Sequence, residues 1–229
     1  MHEPHCANHP SSCARPVAVR RVIRSFAPAD LSAAEAYALL VGIVVPRPVA
    51  WVTTVDAAGV VNAAPFSCYT FVCNKPPMLA VNIGRRGETL KDTAANIAAN
   101  GEFTVNVATE DTLVAMHASS AEYPPGESEV AALGLETLPS THVAPPRLAC
   151  SPIAMECRLE RIVELGEQRS GLVIGEVLAF HVDEALLNGN RIAIDRFRPI
   201  ARLGGPNYAT LGRIITQPKV GESGPAESR

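Results

Sequence analysis

The chain has 229 residues, a formal net charge of -3, 47% hydrophobic residues and 19% charged ones. That balance suits a well-packed globular domain and offers no basic surplus for nucleic acid. No apolar run reaches the ~18 residues a membrane helix needs, and the first residues lack the charged-then-apolar order of a secretory signal, so a cytoplasmic protein with no membrane contact is expected.

The opening MHEPHCANHPSSC carries His2, His5, Cys6, His9 and Cys13. Residues of those types at that spacing are compatible with a metal, but the segment has no hydrophobic periodicity and reads as a disordered tail over 1–19. One domain is expected over 20–216, and the Pro/Gly-rich stretch 217–229 reads as a second disordered tail. The six cysteines, including Cys150 and Cys157, are irregularly spaced and read as free thiols, with Cys68 and Cys73 packed.

Residues 20–25 suit a short strand. Ser32 and Glu35 then form a capping box for a helix over 33–41 that stops at Gly42 and buries Ala36, Leu39 and Leu40 on one face. The segment PRPVAWVTTV (46–55) alternates as a half-buried strand, Asp56-Ala-Ala-Gly59 makes a hairpin turn, and VNAAPFSCYTFV (61–72) returns antiparallel. A third strand begins near Met78, because the prolines before it are tolerable only at a strand start.

Thr89 and Asp92 read as a capping-box variant opening a short helix that ends at Asn100-Gly101. A helix start joins free N–H groups to the positive end of the helix dipole, and Lys91, Thr89, Thr93, Arg85 and Arg86 gather around this one. Two readings stand on spacing alone: an anion site suited to phosphate, or a capped helix with solvated basic side chains.

A strand over 102–108 follows, with Phe103, Val105 and Val107 inward and Asn106 facing away, then a helix over 111–117 and an irregular segment around Tyr123-Pro-Pro-Gly126. His117 and His142 read as structural. Two long β-patterned runs, 151–165 and 171–182, form a hairpin expected to close a barrel. Asn188-Gly189-Asn190 is a turn, and Gly204-Gly205 permits close backbone approach.

The ordered set PRP-x-AW-x-T, N-x-APFS, PPM, KDT and RLGG-x-x-Y (202–208) resembles the flavin reductase-like, FMN-binding split-barrel family, which includes flavoredoxins and the reductase components of two-component monooxygenases. The resemblance implies a mainly β protein with flanking helices: an antiparallel split β-barrel of about six strands. It also implies FMN as cofactor, NADH or NADPH as electron donor, and a homodimer with flavin at the subunit interface and the 202–208 segment nearby. The family places flavin contacts at positions matching Trp51, Thr53, Thr54, Ser67, Thr70, Asn82 and Lys91. Pro65, Phe66, Gly84, Arg86, Asp92 and Thr93 complete the candidate cofactor-binding set, while core packing is the alternative reading for Trp51 and Phe66.

No catalytic residue and no metal ligand is assigned, since hydride transfer between nicotinamide and flavin is carried by the cofactors themselves. A zinc-protease helix, a G-x-S-x-G elbow, a Walker loop and a G-x-G-x-x-G turn are all missing from the sequence. The implied function is an NAD(P)H:FMN oxidoreductase, with a small-molecule substrate or a monooxygenase component receiving the electrons. Reduction of an organic or ferric substrate on retained FMN, and a non-enzymatic flavoredoxin-type carrier, are the alternatives.

Deletion of residues 1–12 is expected to leave the melting temperature and reductase rate unchanged. Loss of a stoichiometric metal together with stability would instead assign that segment a metal site.

Overall fold

The computed structural model describes residues 21–124 and 126–218. The His/Cys-rich segment, the metal alternative attached to it and the final residues from 219 onward lie outside the described residues. The chain divides into two compact units, one ending at Tyr37 and the other beginning at Ala38. Residues 21–27 form no strand, contrary to expectation.

The capping box is present: Glu35 accepts from the Ser32 N–H at 2.9 Å, and the Glu35 N–H donates to the Ser32 hydroxyl at 3.3 Å. The helix it opens, α1 (Ala33–Ile43), runs through Gly42, and none of its residues is buried. The expected buried face of Ala36, Leu39 and Leu40 is therefore corrected. Helical spacing reports which residues share a face, not what covers it.

The second unit is organised by one seven-stranded antiparallel sheet. Its strands are β1 (Ala50–Val55), β2 (Val61–Phe66), β3 (Tyr69–Asn74), β4 (Pro77–Ile83), β5 (Glu102–Val107), β6 (Ile153–Leu165) and β7 (Ser170–Val182). Their order across the sheet is β2-β1-β5-β6-β7-β4-β3. The Asp56–Gly59 turn is as expected, with Gly59 at φ 84.

Three corrections concern this sheet. The stretch 61–72 is two strands, not one: the chain breaks at Ser67-Cys68, and β2 and β3 occupy opposite edges. The β6–β7 hairpin is central and does not close the sheet. The two edges are joined through the Ser67-Cys68 corner; the Asn82 N–H of β4 donates to the Cys68 carbonyl at 2.8 Å, which extends the β3–β4 pairing by one rung. Third, Cys68 is not packed as expected but exposed, because it sits at this corner, while Cys73 is half-buried; among the described residues all four cysteines are free.

Inside the curled sheet lie Ala50, Val52, Val81, Ile83, Phe103, Val105, Cys157 and Val173. β5 is buried on both faces, so Asn106 does not meet solvent. It donates to the Trp51 carbonyl at 3.0 Å and accepts from the Leu148 N–H at 2.9 Å, which binds the loop before β6 to the sheet.

A second anchor for that loop is Glu156, fully buried on β6, which accepts from the Thr141 N–H at 2.8 Å, the His142 N–H at 2.6 Å and His181 Nε2 at 2.6 Å. Burial pushes its carboxyl up, but these hydrogen bonds together hold it below the usual carboxylate range.

Helix α2 (Asp92–Asn100) starts later than expected. Thr89–Leu90 forms a short strand with Arg85–Arg86, and Lys91, not Thr89, is the N-cap. Its end is as read, with Gly101 at φ 72 and its N–H bonded to the Ile97 carbonyl. α3 (Leu113–Ala118) and the short α4 (Glu129–Ala132) follow. Gly205, at φ 58, forms a turn in which the Leu203 N–H bonds the Asn207 carbonyl at 3.0 Å. This turn, more than a close backbone approach, accounts for the glycine pair.

A Cβ at Gly175 on β7 would lie 2.4 Å from Phe103 Cζ and 3.2 Å from the Arg158 carbonyl. With Phe103 itself buried, Gly175→Ala should destabilise the protein by about 1–3 kcal/mol, the scale of overpacking. A Phe103→Leu partner should recover part of the loss in a double-mutant cycle by urea unfolding. An unchanged midpoint for the single variant would contradict this contact.

Candidate functional site

The edge strand β2, the start of α2, the end of α3 and the short α4 surround a cleft of about 140 Å³. Its walls include Ala64, Pro65, Phe66, Arg86, Lys91, Asp92, Thr93, Tyr123 and Glu129. Six of the thirteen sequence-predicted cofactor residues thus come together: Pro65, Phe66, Arg86, Lys91, Asp92 and Thr93.

Each wall has a physical cause. β2 ends its side of the sheet, and Pro65 has no N–H, so that part of the edge is an apolar ledge with Ala64 and Phe66. Lys91 Nζ stands 5.9 Å from the centre of the Phe66 ring, placing a cation over the ledge. The first turn of α2 has no side-chain cap, which leaves backbone donors and the positive dipole end for an anion. Arg86 pairs with Glu122 at 3.3 Å in an exposed ion pair that adds little stability.

The threonines at the helix start are committed elsewhere. Thr93 donates its hydroxyl proton to Asn62 Oδ1 at 2.8 Å, and Thr89 donates to the Arg86 carbonyl at 2.7 Å. An anion here would be held by Lys91 and the backbone N–H groups, not by donated threonine protons.

Asn62 is the hub of the buried side. It accepts from Thr93 and from Thr54 at 3.3 Å, and its amide donates to Glu129 Oε1 at 2.7 Å. Glu129 Oε2 takes the Ala63 N–H at 3.0 Å, which satisfies a donor on the sheet edge. Burial pushes the Glu129 carboxyl above the usual carboxylate range; its hydrogen bonds oppose this, and neighbouring Asp92 pushes the same way. α4 is docked by Ser128, whose hydroxyl donates to the Val61 carbonyl and accepts from the Ala131 N–H.

The other predicted residues lie elsewhere. Trp51 is fully buried among Val49, Ala108, Met116, Leu148 and Ile200, and its indole N–H meets no acceptor among the described residues. Thr53 is fully buried and donates to the Pro146 carbonyl at 2.6 Å. Thr54 is buried in the Asn62 network. Trp51 thus fits its core alternative, and Thr53 and Thr54, expected among the cofactor contacts, are likewise enclosed within the chain.

Ser67 accepts a 3.4 Å bond from Arg47, and the hydroxyl of exposed Thr70 donates to the Phe71 carbonyl at 3.2 Å. Asn82 bonds Ser170 across the β4–β7 pair. Gly84 borders a separate hollow of about 480 Å³ with Arg85, Glu88, Arg169 and Ser170.

Asn62, Glu129 and Tyr123 were not selected from sequence. Asn62 had a signal, as the polar residue that opens N-x-APFS; Glu129 sits in a four-residue helix too short for any periodicity. Arg47 was likewise missed as a buried tie: it donates to the carbonyls of Val41, Val44 and Leu203, each at 2.7 Å. His117 reads structurally as expected, its Nδ1 lying 2.9 Å from the Tyr208 hydroxyl, which Arg202 also contacts.

Asn62→Ala would strand Glu129 Oε1 and the Thr93 hydroxyl inside the protein. A loss on the order of 3 kcal/mol is expected in urea unfolding, since each orphaned buried group costs ~1–3 kcal/mol. A change within 0.5 kcal/mol, roughly the scatter of neutral surface substitutions, would show that the network does not bind β2 to α2 and α4.

The fold has counterparts. Residues 42–198 match the family model described as a flavin reductase like domain. An uncharacterised protein of Halalkalibacterium halodurans is 42% identical over 194 residues, covering 82% of this chain and 93% of that protein. YwrF of Bacillus subtilis, also uncharacterised, is 39% identical over 193 residues, covering 82% and 94%. Among solved structures, component B of nitrilotriacetate monooxygenase from Bacillus cereus aligns with a TM-score of 0.84 at 37% identity, over 86% of this chain and all of that one. The 2-nitrobenzoate 2-nitroreductase NbaA of Pseudomonas fluorescens gives 0.79 at 33% identity, over 87% and 99%. The match over the whole seven-stranded sheet and all of the cleft-forming elements places this chain in the flavin reductase-like family, on the split-barrel fold.

Proposed function

We propose that this protein binds FMN in the cleft between β2 and the start of α2 and oxidises NADH or NADPH with it. The observation that carries this reading is the junction of an apolar strand edge at Ala64, Pro65 and Phe66 with an uncapped helix start bearing Lys91. A flavin mononucleotide needs both parts: a flat apolar ledge for its ring and an anion site for its phosphate. When bound, the flavin supplies the hydride-accepting ring; the chain's own residues bind and orient it.

In this reading Lys91 and the first N–H groups of α2 hold the phosphate. Pro65 and Phe66 flank the ring, and the Asn62–Glu129 network fixes the ledge relative to the helix. The cleft volume of about 140 Å³ is below the ~300–1,000 Å³ of complete ligand sites, so a second copy of the chain is proposed to supply the remainder. Ile43 at 72% exposed and Phe71 at 76% exposed, with Val44 and Val72, form the apolar surface proposed for that homodimer.

Two outlets for the electrons have support. The likeness to a monooxygenase component B favours handing reduced flavin to a partner oxygenase, and the likeness to NbaA favours a small organic substrate reduced on retained FMN.

The test is the visible spectrum of the purified protein and its oxidation of NADH and NADPH with and without added FMN. Turnover that depends on FMN supports the reading, whereas a protein that neither binds FMN nor oxidises either nucleotide contradicts it. Lys91→Ala should weaken FMN binding by about 1.5–3 kcal/mol, the scale of a charge-assisted hydrogen bond, and riboflavin binding by much less. Equal losses for the two ligands would remove Lys91 from the phosphate.

A further inference from the structure

Arg47 is buried, and its guanidinium is bonded to neutral oxygens alone. Nη1 donates to the carbonyls of Val41 and Val44 at the end of α1 and Nη2 to the Leu203 carbonyl, each at 2.7 Å, while Nε donates to the Ser67 hydroxyl at 3.4 Å. Among the described residues no carboxylate pairs with it. Opposite it in the short strand pair Arg47–Pro48 and Ile200–Arg202 stands a second arginine, Arg202. The Arg202 guanidinium lies 4.5 Å from the centre of the Tyr208 ring, contacts the Tyr208 hydroxyl, and is likewise without a carboxylate among the described residues.

Two like charges directly opposite each other are unfavourable. A buried guanidinium without a counter-charge also costs more than a neutral donor tied to the same carbonyls would. The negative end of the α1 dipole offsets part of the Arg47 charge, but a helix end amounts to only about half an elementary charge. A net positive charge is therefore left beside the Ser67-Cys68 corner. Breaches of local rules of this kind are expected where function uses them.

The charge stands next to the ledge. Ser67, which Arg47 bonds, follows Phe66 in the chain, and Phe66 and Pro65 border the cleft. A flavin ring takes up negative charge when it is reduced at neutral pH, so a fixed cation near it favours the reduced form over the oxidised one without touching a reacting atom. We propose that Arg47 sets the redox poise of the bound flavin, making the site hold the reduced ring more tightly than it would without this charge. The inference rests on the flavin reading given above.

The experiment measures the potential of FMN bound to the full chain, by anaerobic equilibration with redox dyes, for the wild type, Arg47→Lys and Arg47→Gln. Bound and free potentials together give the ratio of the affinities for reduced and oxidised FMN. A lost tie weakens both forms alike and leaves that ratio unchanged, whereas a lost charge lowers it. Arg47→Gln should lower the ratio about tenfold, the scale of one charge acting across about 10 Å of protein and equal to about 30 mV for a two-electron couple. Arg47→Lys keeps the charge while losing the guanidinium fork, and should hold the ratio within about threefold. Ser67→Asp leaves Arg47 and its carbonyl bonds in place but pairs its charge, so it should lower the ratio even if Arg47→Gln does not fold. An unchanged ratio in Arg47→Gln or in Ser67→Asp, or equal drops in the Lys and Gln variants, would overturn the proposal. FMN binding to none of these chains would remove the flavin reading and this inference with it, while binding at a ratio indifferent to the charge removes this inference alone.

Discussion

Two residues, Ser67 and Cys68, join strands that belong to opposite edges of a seven-stranded sheet. In a flat sheet with ~4.8 Å between neighbours those edges would stand about 29 Å apart. A connection this short spans on the order of 10 Å. The sheet has to curl until its edges nearly meet, and the Ser67-Cys68 corner is where they do. Curling buries both faces of β5 and gathers one core inside, which is why Asn106 is enclosed and must find partners on Trp51 and Leu148.

The same constraint creates the cleft. A curled sheet that leaves β2 as an edge exposes unpaired backbone groups, and an exposed edge invites pairing with other chains. Here Glu129 takes one of those donors and Pro65 removes another, while Asn62 turns the strand's other side toward α2. The ledge and the helix start are thus held together by a single buried polar network. Such networks are rigid when every member is satisfied and costly when one is removed.

Much of the fold was legible in the sequence because it is written locally. The Ser32–Glu35 capping box, the Asp56–Gly59 turn, the Gly101 stop and the β6–β7 hairpin each depend on a few adjacent residues. What could not be read depends on partners distant in the chain. The 61–72 run looks like one strand because its propensity is continuous, and only the closing of the sheet requires a corner at Ser67. Trp51, Thr53 and Thr54 carry the residue types of a ligand site, yet the fold turns them inward. Phe66 is itself buried in the core and differs from Trp51 in bordering the cleft as well. Glu129 gave no signal, since its role arises from a contact with β2 more than sixty residues earlier. Lys91, Asp92 and Thr93 were legible because a helix start announces itself in sequence.

The central claim is that flavin occupies the junction of the β2 edge and the first turn of α2. Hydrogen–deuterium exchange of the purified protein with and without FMN tests it directly. The account predicts slowed exchange at residues 92–95 and 63–67 when FMN is present, with the hollow at 84–88 and 167–170 unchanged. Protection confined to that hollow would contradict it.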